Sequence, residues 1–161
     1  MAQIRRFLHL TGREKLLFFE ACILLLLSNL SVKTVAFRHI DSCLRHLYNR
    51  SRDSFVRSDD VKNDIKLIDL SLSRAANVLP LNSLCLSRSI AKLIMLRRRG
   101  VPAVLFAGVK FLEDSSLWAH AWVRAGDCVM DRNSDGSDNA EFTVLVKIGQ
   151  ESSHDPSCNP V

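Results

Sequence analysis

The chain predicts an α+β fold, with helices first and then one further helix packed on an antiparallel sheet. Three observations carry that reading. Apolar residues up to about residue 78 recur at helical spacing. Pro80 then breaks the pattern, and one further helix ends at Gly100-Val101-Pro102. Beyond it, four short apolar segments bounded by turn residues read as strands. Helices followed by strands in blocks, not in alternation, indicate α+β.

The elements follow in order. Thr11 and Glu14 form a capping-box pattern that opens a helix toward residue 28. A second helix covers 34–49. The polar stretch 50–60 reads as a loop. A third helix covers about 60–78, where Val61, Ile65, Ile68, Leu72 and Ala75 recur on one face. Asn82 or Ser83 caps the next helix, which carries Cys85 in its first turn and runs to Arg99. The strands are AVLFAGVKF, LWAHAWVRA, DCVMD and FTVLVKI, with Gly126-Asp127 turning between the second and third. Three regions result: 1–78 helical, 79–150 the core, and 151–161 a polar tail with two prolines.

Composition bounds the function. At 161 residues, 47% of them apolar and 24% charged, the chain suits one globular domain. A net charge of +5 is a mild excess that singles out no partner. Five cysteines at irregular spacing, with no CxxC pair, argue against a disulfide framework and for a reducing, cytoplasmic setting. The run LLFFEACILLLLSNL at 16–30 includes Glu20 and Asn29. It falls short of the roughly 20 apolar residues of a spanning helix, and a buried or interface helix is expected there. Helix 16–28, Leu25 included, is the candidate surface for a partner or a peripheral membrane contact.

Cys85 is the first chemical candidate. A thiol in the first turn of a helix faces unpaired backbone N–H groups and the positive end of the dipole, and both favour thiolate. Arg88, one turn on, adds positive charge. The competing reading is a small buried hydrophobe. His120 shifts the balance. Alternation in WAHAWV puts Trp118, His120 and Trp122 on one strand face and Ala119, Ala121 and Val123 on the other. The small face suits packing against a helix, and indoles walling an imidazole near a thiol suit a Cys–His pair. Trp118 and Trp122 are candidate substrate contacts. A third group should orient the imidazole. Asp131 is the first candidate, Asp127 and Asp135 the others.

Rival constellations are weaker. His39, Cys43 and His46 share a helix face, but no fourth zinc ligand is evident. Residues 131–141 imitate a calcium loop, yet Glu141 arrives one residue early and the flanks read as strands. Arg97, Arg98 and Arg99 suit a helix end and lack the aromatic interleaving of a nucleic-acid patch. No phosphate loop, dinucleotide fingerprint or GxSxG elbow occurs. The reading calls for no metal, no cofactor and no nucleic acid.

The segment PLNSLCLSRSIAKLIMLRRRGVPAVLFAGV, followed by WAHAWVRAGDCVMD, resembles the transglutaminase-like leader peptidases of lasso-peptide (microcin-type) biosynthesis. The shared features are Cys85-Leu86 with Ser89, Arg98 to Gly100, Gly108-Val109, and Ala119 to Trp122. Arg124 departs from the family, which often has an acidic residue there. The resemblance implies a papain- or transglutaminase-like core, a Cys-His-Asp triad at Cys85, His120 and Asp131, and cleavage of a ribosomally made precursor at the end of its leader. It implies two partners besides the precursor peptide: a leader-recognition protein and an asparagine-synthetase-like lasso cyclase. The alternatives are a catalytically inactive scaffold and an acyl-transfer enzyme on the same fold.

Overall fold

The computed structural model describes residues 11–34, 39, 42, 44–46, 58–81, 84–112, 115–125, 128–130 and 141–149. Three helices with described limits lead: α1 (Gly12–Thr34), α2 (Ser58–Val78) and α3 (Leu84–Arg97). Four strands follow: β1 (Val104–Phe111), β2 (Leu117–Ala125), β3 (Cys128–Met130) and β4 (Thr143–Gly149). They form one antiparallel sheet in the order β3-β2-β1-β4. The α+β expectation holds. Residues 39, 42 and 44–46, within the expected second helix, are helical, and the third expected helix begins slightly earlier, at Ser58. The Gly126-Asp127 turn, the cap at 82–83, the loop at 50–57 and the tail lie outside the described residues.

The capping box at Thr11 forms. The Thr11 N–H and hydroxyl both donate to the Glu14 carboxylate at 3.0 Å, and the Glu14 N–H returns to the Thr11 hydroxyl at 3.3 Å. From that start α1 runs 23 residues, further than its Leu-rich segment alone suggested. By length and composition it is apolar enough to cross a membrane. One side of it nonetheless belongs to the core: Leu17, Ala21 and Leu25 are buried at the spacing of one helix face. Leu25, expected on a contact surface, is fully buried, and the reason is its four-residue step from Ala21 along that inner face.

α3 is the central element. α1 and α2 pack on one side of it and the sheet lies on the other. Ile90, Ala91, Leu93, Met95 and Leu96 are all buried there, each large one worth about 1.5–3 kcal/mol of burial. The helix stops where the sequence predicts. Val101 N–H reaches the Leu96 carbonyl and Gly100 N–H the Arg97 carbonyl, with Gly100 at a φ of 70°. That is the paired bonding of a glycine-terminated helix, and Gly100 supplies the left-handed residue it needs.

The arginines beyond α3 serve its end. Arg98 and Arg99 both pair with Glu20 of α1, at 3.0 and 2.5 Å, and Arg99 also donates to the Met95 carbonyl. Glu20, which interrupts the apolar run in the sequence, is thereby matched. In the middle of α3, the fully buried Lys92 ammonium donates to Asp69 of α2 at 2.7 Å.

The two sheet faces differ. Leu105, Val123, Ala125 and Ile148 join the helices in the main core. Val104, Phe106, Trp122 and Phe142 form a second cluster on the opposite face. Alternation along β1 and β2 is what divides them.

Candidate active site

Cys85 lies in the first turn of α3 and is exposed. Next on the same helix face comes Ser89, whose buried hydroxyl donates to the Ala121 carbonyl at 3.0 Å. That bond fixes α3 against β2 at the residue after His120. Among the described residues β3 pairs with β2 only from Val123 to Ala125, so Ala121 lies beyond that ladder. The short link from α3 to Val104 sets the C-terminal end of α3 beside the end of β2, because Val104 pairs with Arg124. The N-terminal end of α3 therefore points toward the beginning of β2. There Ala119 is exposed, so α3 leaves that part of the strand uncovered.

His120 stands mid-strand opposite Gly108 of β1. Its ring stacks on Trp122, with centroids 5.9 Å apart and planes 11° from parallel. Phe142 lies 5.6 Å from the imidazole and 5.9 Å from Trp122, so the three rings form one cluster. Trp122 stacks in turn on Phe106 and is buried. Trp118 is half-buried, meets Phe142 edge-on, and carries the Lys110 ammonium 4.8 Å from its ring centre. Trp118, His120 and Trp122 thus share a face, as the alternation predicts. Ala121 and Val123 turn to the helices. The imidazole projects on the sheet face away from the body of α3, so any meeting with the Cys85 thiol takes place around β2 where the first turn of α3 ends.

Two features of this cluster escaped sequence reasoning. The first is Phe142. A Cβ at Gly108 would lie 2.8 Å from the Thr143 carbonyl oxygen and 3.2 Å from the Phe142 Cβ. Gly108 thus leaves the gap into which Phe142 reaches toward His120. The β1–β4 register also shifts at Ala107/Gly108. A glycine within an apolar strand was the available signal. The second is Arg88, expected to add charge beside Cys85. Its guanidinium donates to Ser73 of α2 at 2.6 Å and lies 3.7 Å from Asp69.

The thiols differ in surroundings. Cys22 lies half-buried in α1, and desolvation pushes its ionisation above the usual thiol value. Asp127, Asp131 and Asp135 lie outside the described residues; Asp131 directly follows β3 in sequence. Cys43 of the rival zinc set and all of the calcium-like loop but Glu141 are also outside them. Glu141 pairs with Lys110 at 3.1 Å.

The family model for the transglutaminase-like superfamily matches residues 26–147. The chain belongs to the transglutaminase-like superfamily. The matched span begins inside α1, takes in α2, α3 and the first three strands, and ends within β4. No curated protein and no solved structure matches the chain. Cysteine-peptidase-like chemistry is typical of this superfamily.

Proposed function

We propose that this chain is a cysteine endopeptidase that removes the leader from a ribosomally made lasso-peptide precursor. The observation that carries the proposal is the exposed Cys85 thiol in the first turn of α3, one turn ahead of the hydrogen bond that ties α3 to the strand of His120. Superfamily membership supports the cysteine chemistry, and the quoted resemblance suggests the substrate class.

In this reading His120 takes the Cys85 proton, and the thiolate adds to the last carbonyl of the leader. The Cys85 backbone N–H, at the positive end of α3, stabilises the oxyanion. Collapse breaks the C–N bond, and His120 returns its proton to the leaving amine. Water then splits the thioester and frees the leader as a carboxylate. Asp131 orients the imidazole. Trp118 contacts substrate, while the buried Trp122 acts by holding the imidazole plane. A recognition protein delivers the leader, a lasso cyclase takes the core, and the work is done in the cytoplasm.

One observation favours the scaffold reading: the imidazole lies on the sheet face away from the body of α3. The experiment is mass spectrometry of precursor peptide incubated with the chain and its recognition protein, beside Cys85→Ala. Cleavage at one bond, lost in the variant, is expected. No cleavage, together with a Cys85 that iodoacetamide alkylates no faster than Cys22, would leave only the scaffold.

A further inference from the structure

α1 carries a second apolar face that stays exposed among the described residues. Every exposed residue between positions 16 and 30 is large and apolar: Leu16, Phe19, Ile23, Leu26, Leu27 and Leu30. They run about 21 Å along the helix at 1.5 Å per residue. Together they expose on the order of 600 Å², the upper end of what single proteins leave uncovered without a use for it.

What borders this stripe decides what it fits. Lys15 and Lys33 are eighteen residues apart, which is five turns at 3.6 residues each, so they share one edge of the helix. The other edge carries Arg13, still 61% exposed beside Asp64, and Arg98, 65% exposed beside Glu20. The apolar stripe thus runs between two basic borders. Within it there is no exposed polar group for a hydrogen-bonded partner to read. A second copy of the chain would bring the same basic borders against each other.

We propose that the outer face of α1 lies in the plane of an anionic lipid surface. The apolar side chains enter the acyl boundary, and the lysines and arginines on both borders meet the headgroup phosphates. The helix lies on the bilayer and does not cross it. Crossing would strip Leu17, Ala21 and Leu25 from the core and submerge Glu20 with its two arginines.

The test is flotation of the full chain on a density gradient with vesicles of mixed phosphatidylglycerol and phosphatidylcholine, and with phosphatidylcholine alone. Only vesicle-bound protein rises, so aggregation cannot imitate binding. The chain is expected to float with the anionic vesicles, to float poorly with the neutral ones, and to be released by salt. Ile23→Ser with Leu26→Ser changes two exposed positions and leaves the core intact. It should lower the bound fraction about tenfold or more, with an unchanged circular dichroism spectrum. Lys15→Gln with Lys33→Gln should weaken the preference for anionic lipid, leaving only the Arg13 and Arg98 border. Absence of flotation, or flotation untouched by the serine pair, overturns the proposal. A dimer in light scattering that the serine pair converts to monomer, without lipid binding, replaces the bilayer with a second copy.

Discussion

Gly108 offers the sharpest test of how the site is built. Alanine there adds one methyl group, and that methyl has nowhere to go. Its carbon would sit 2.8 Å from the Thr143 carbonyl oxygen and 3.2 Å from the Phe142 Cβ. Ordinary van der Waals contact begins near 3.4 Å, so β4 must retreat by roughly 0.6 Å at a backbone atom that cannot rotate away. Overpacking of this kind costs about 1–3 kcal/mol. In a chain of this size, at about 2–4 °C for each kcal/mol, the melting temperature should fall by roughly 2–12 °C. Retreat of β4 also draws Phe142 from His120, so tryptophan emission from Trp118 and Trp122 should change and precursor cleavage should slow. Gly12→Ala is the matched control. Nothing lies within 4 Å of a Cβ there, in the first turn of α1, so it should stabilise by about 0.4–1 kcal/mol. Urea denaturation of both variants reads the contrast. If Gly108→Ala unfolds at the wild-type midpoint with unaltered emission, the close approach of β4 to β1 is not real, and the account of Phe142 fails with it.

Two further outcomes are expected. Asp69→Ala leaves the buried Lys92 ammonium short of its 2.7 Å partner, at a cost of about 1.5–3 kcal/mol, nearer the lower figure because Asp69 is partly exposed. Lys92→Met removes the charge with its need and should be close to neutral; equilibrium unfolding in which the methionine variant is the weaker of the two would reverse the argument. Glu14 is the pH probe. The Thr11 backbone N–H, and then its hydroxyl, hold the Glu14 carboxyl below its ordinary 4.5. Its contribution is therefore present above that value and disappears as the pH falls through the folded-state value, where protonation removes the acceptor. The melting-temperature gap between wild type and Glu14→Gln should be open at neutral pH and close in acid. A gap that is the same at both ends would count against the capping box.

The strands were legible because each is a short apolar run with a glycine or polar break at its ends, and β2 matches its expected limits at Leu117 and Ala125. Thr11 with Glu14, and Gly100 after α3, were legible for the same local reason: each acts through bonds to neighbours within five residues. The facing of α1 was not. Leucines fill both of its sides, so no periodicity marks the inner one, and only packing against α2 and α3 assigns Leu25 to the core and Leu26 to the surface. Arg88 looked like a companion of Cys85 by spacing alone, while Ser73 and Asp69, distant in sequence, claim its guanidinium. Cys85, Ser89 and His120 could be picked out by residue type. The Ser89–Ala121 bond that sets their frame depends on tertiary geometry, which no local pattern encodes.

The Ser89–Ala121 bond also bears on how the molecule comes together in time. It closes a segment of only 32 residues, and everything inside that segment is the remainder of α3, β1 and the first part of β2. Loop-closure entropy rises slowly, by about 0.6 kcal/mol for each doubling of length, but short range still favours early contact. Helix and hairpin can therefore meet before the N-terminal helices dock. The Cys85 helix and the His120 strand would belong to the folding nucleus, and α1 and α2 would close over a frame already set. Mutations at Ser89 would then slow folding, whereas losses on the α1 side would chiefly hasten unfolding.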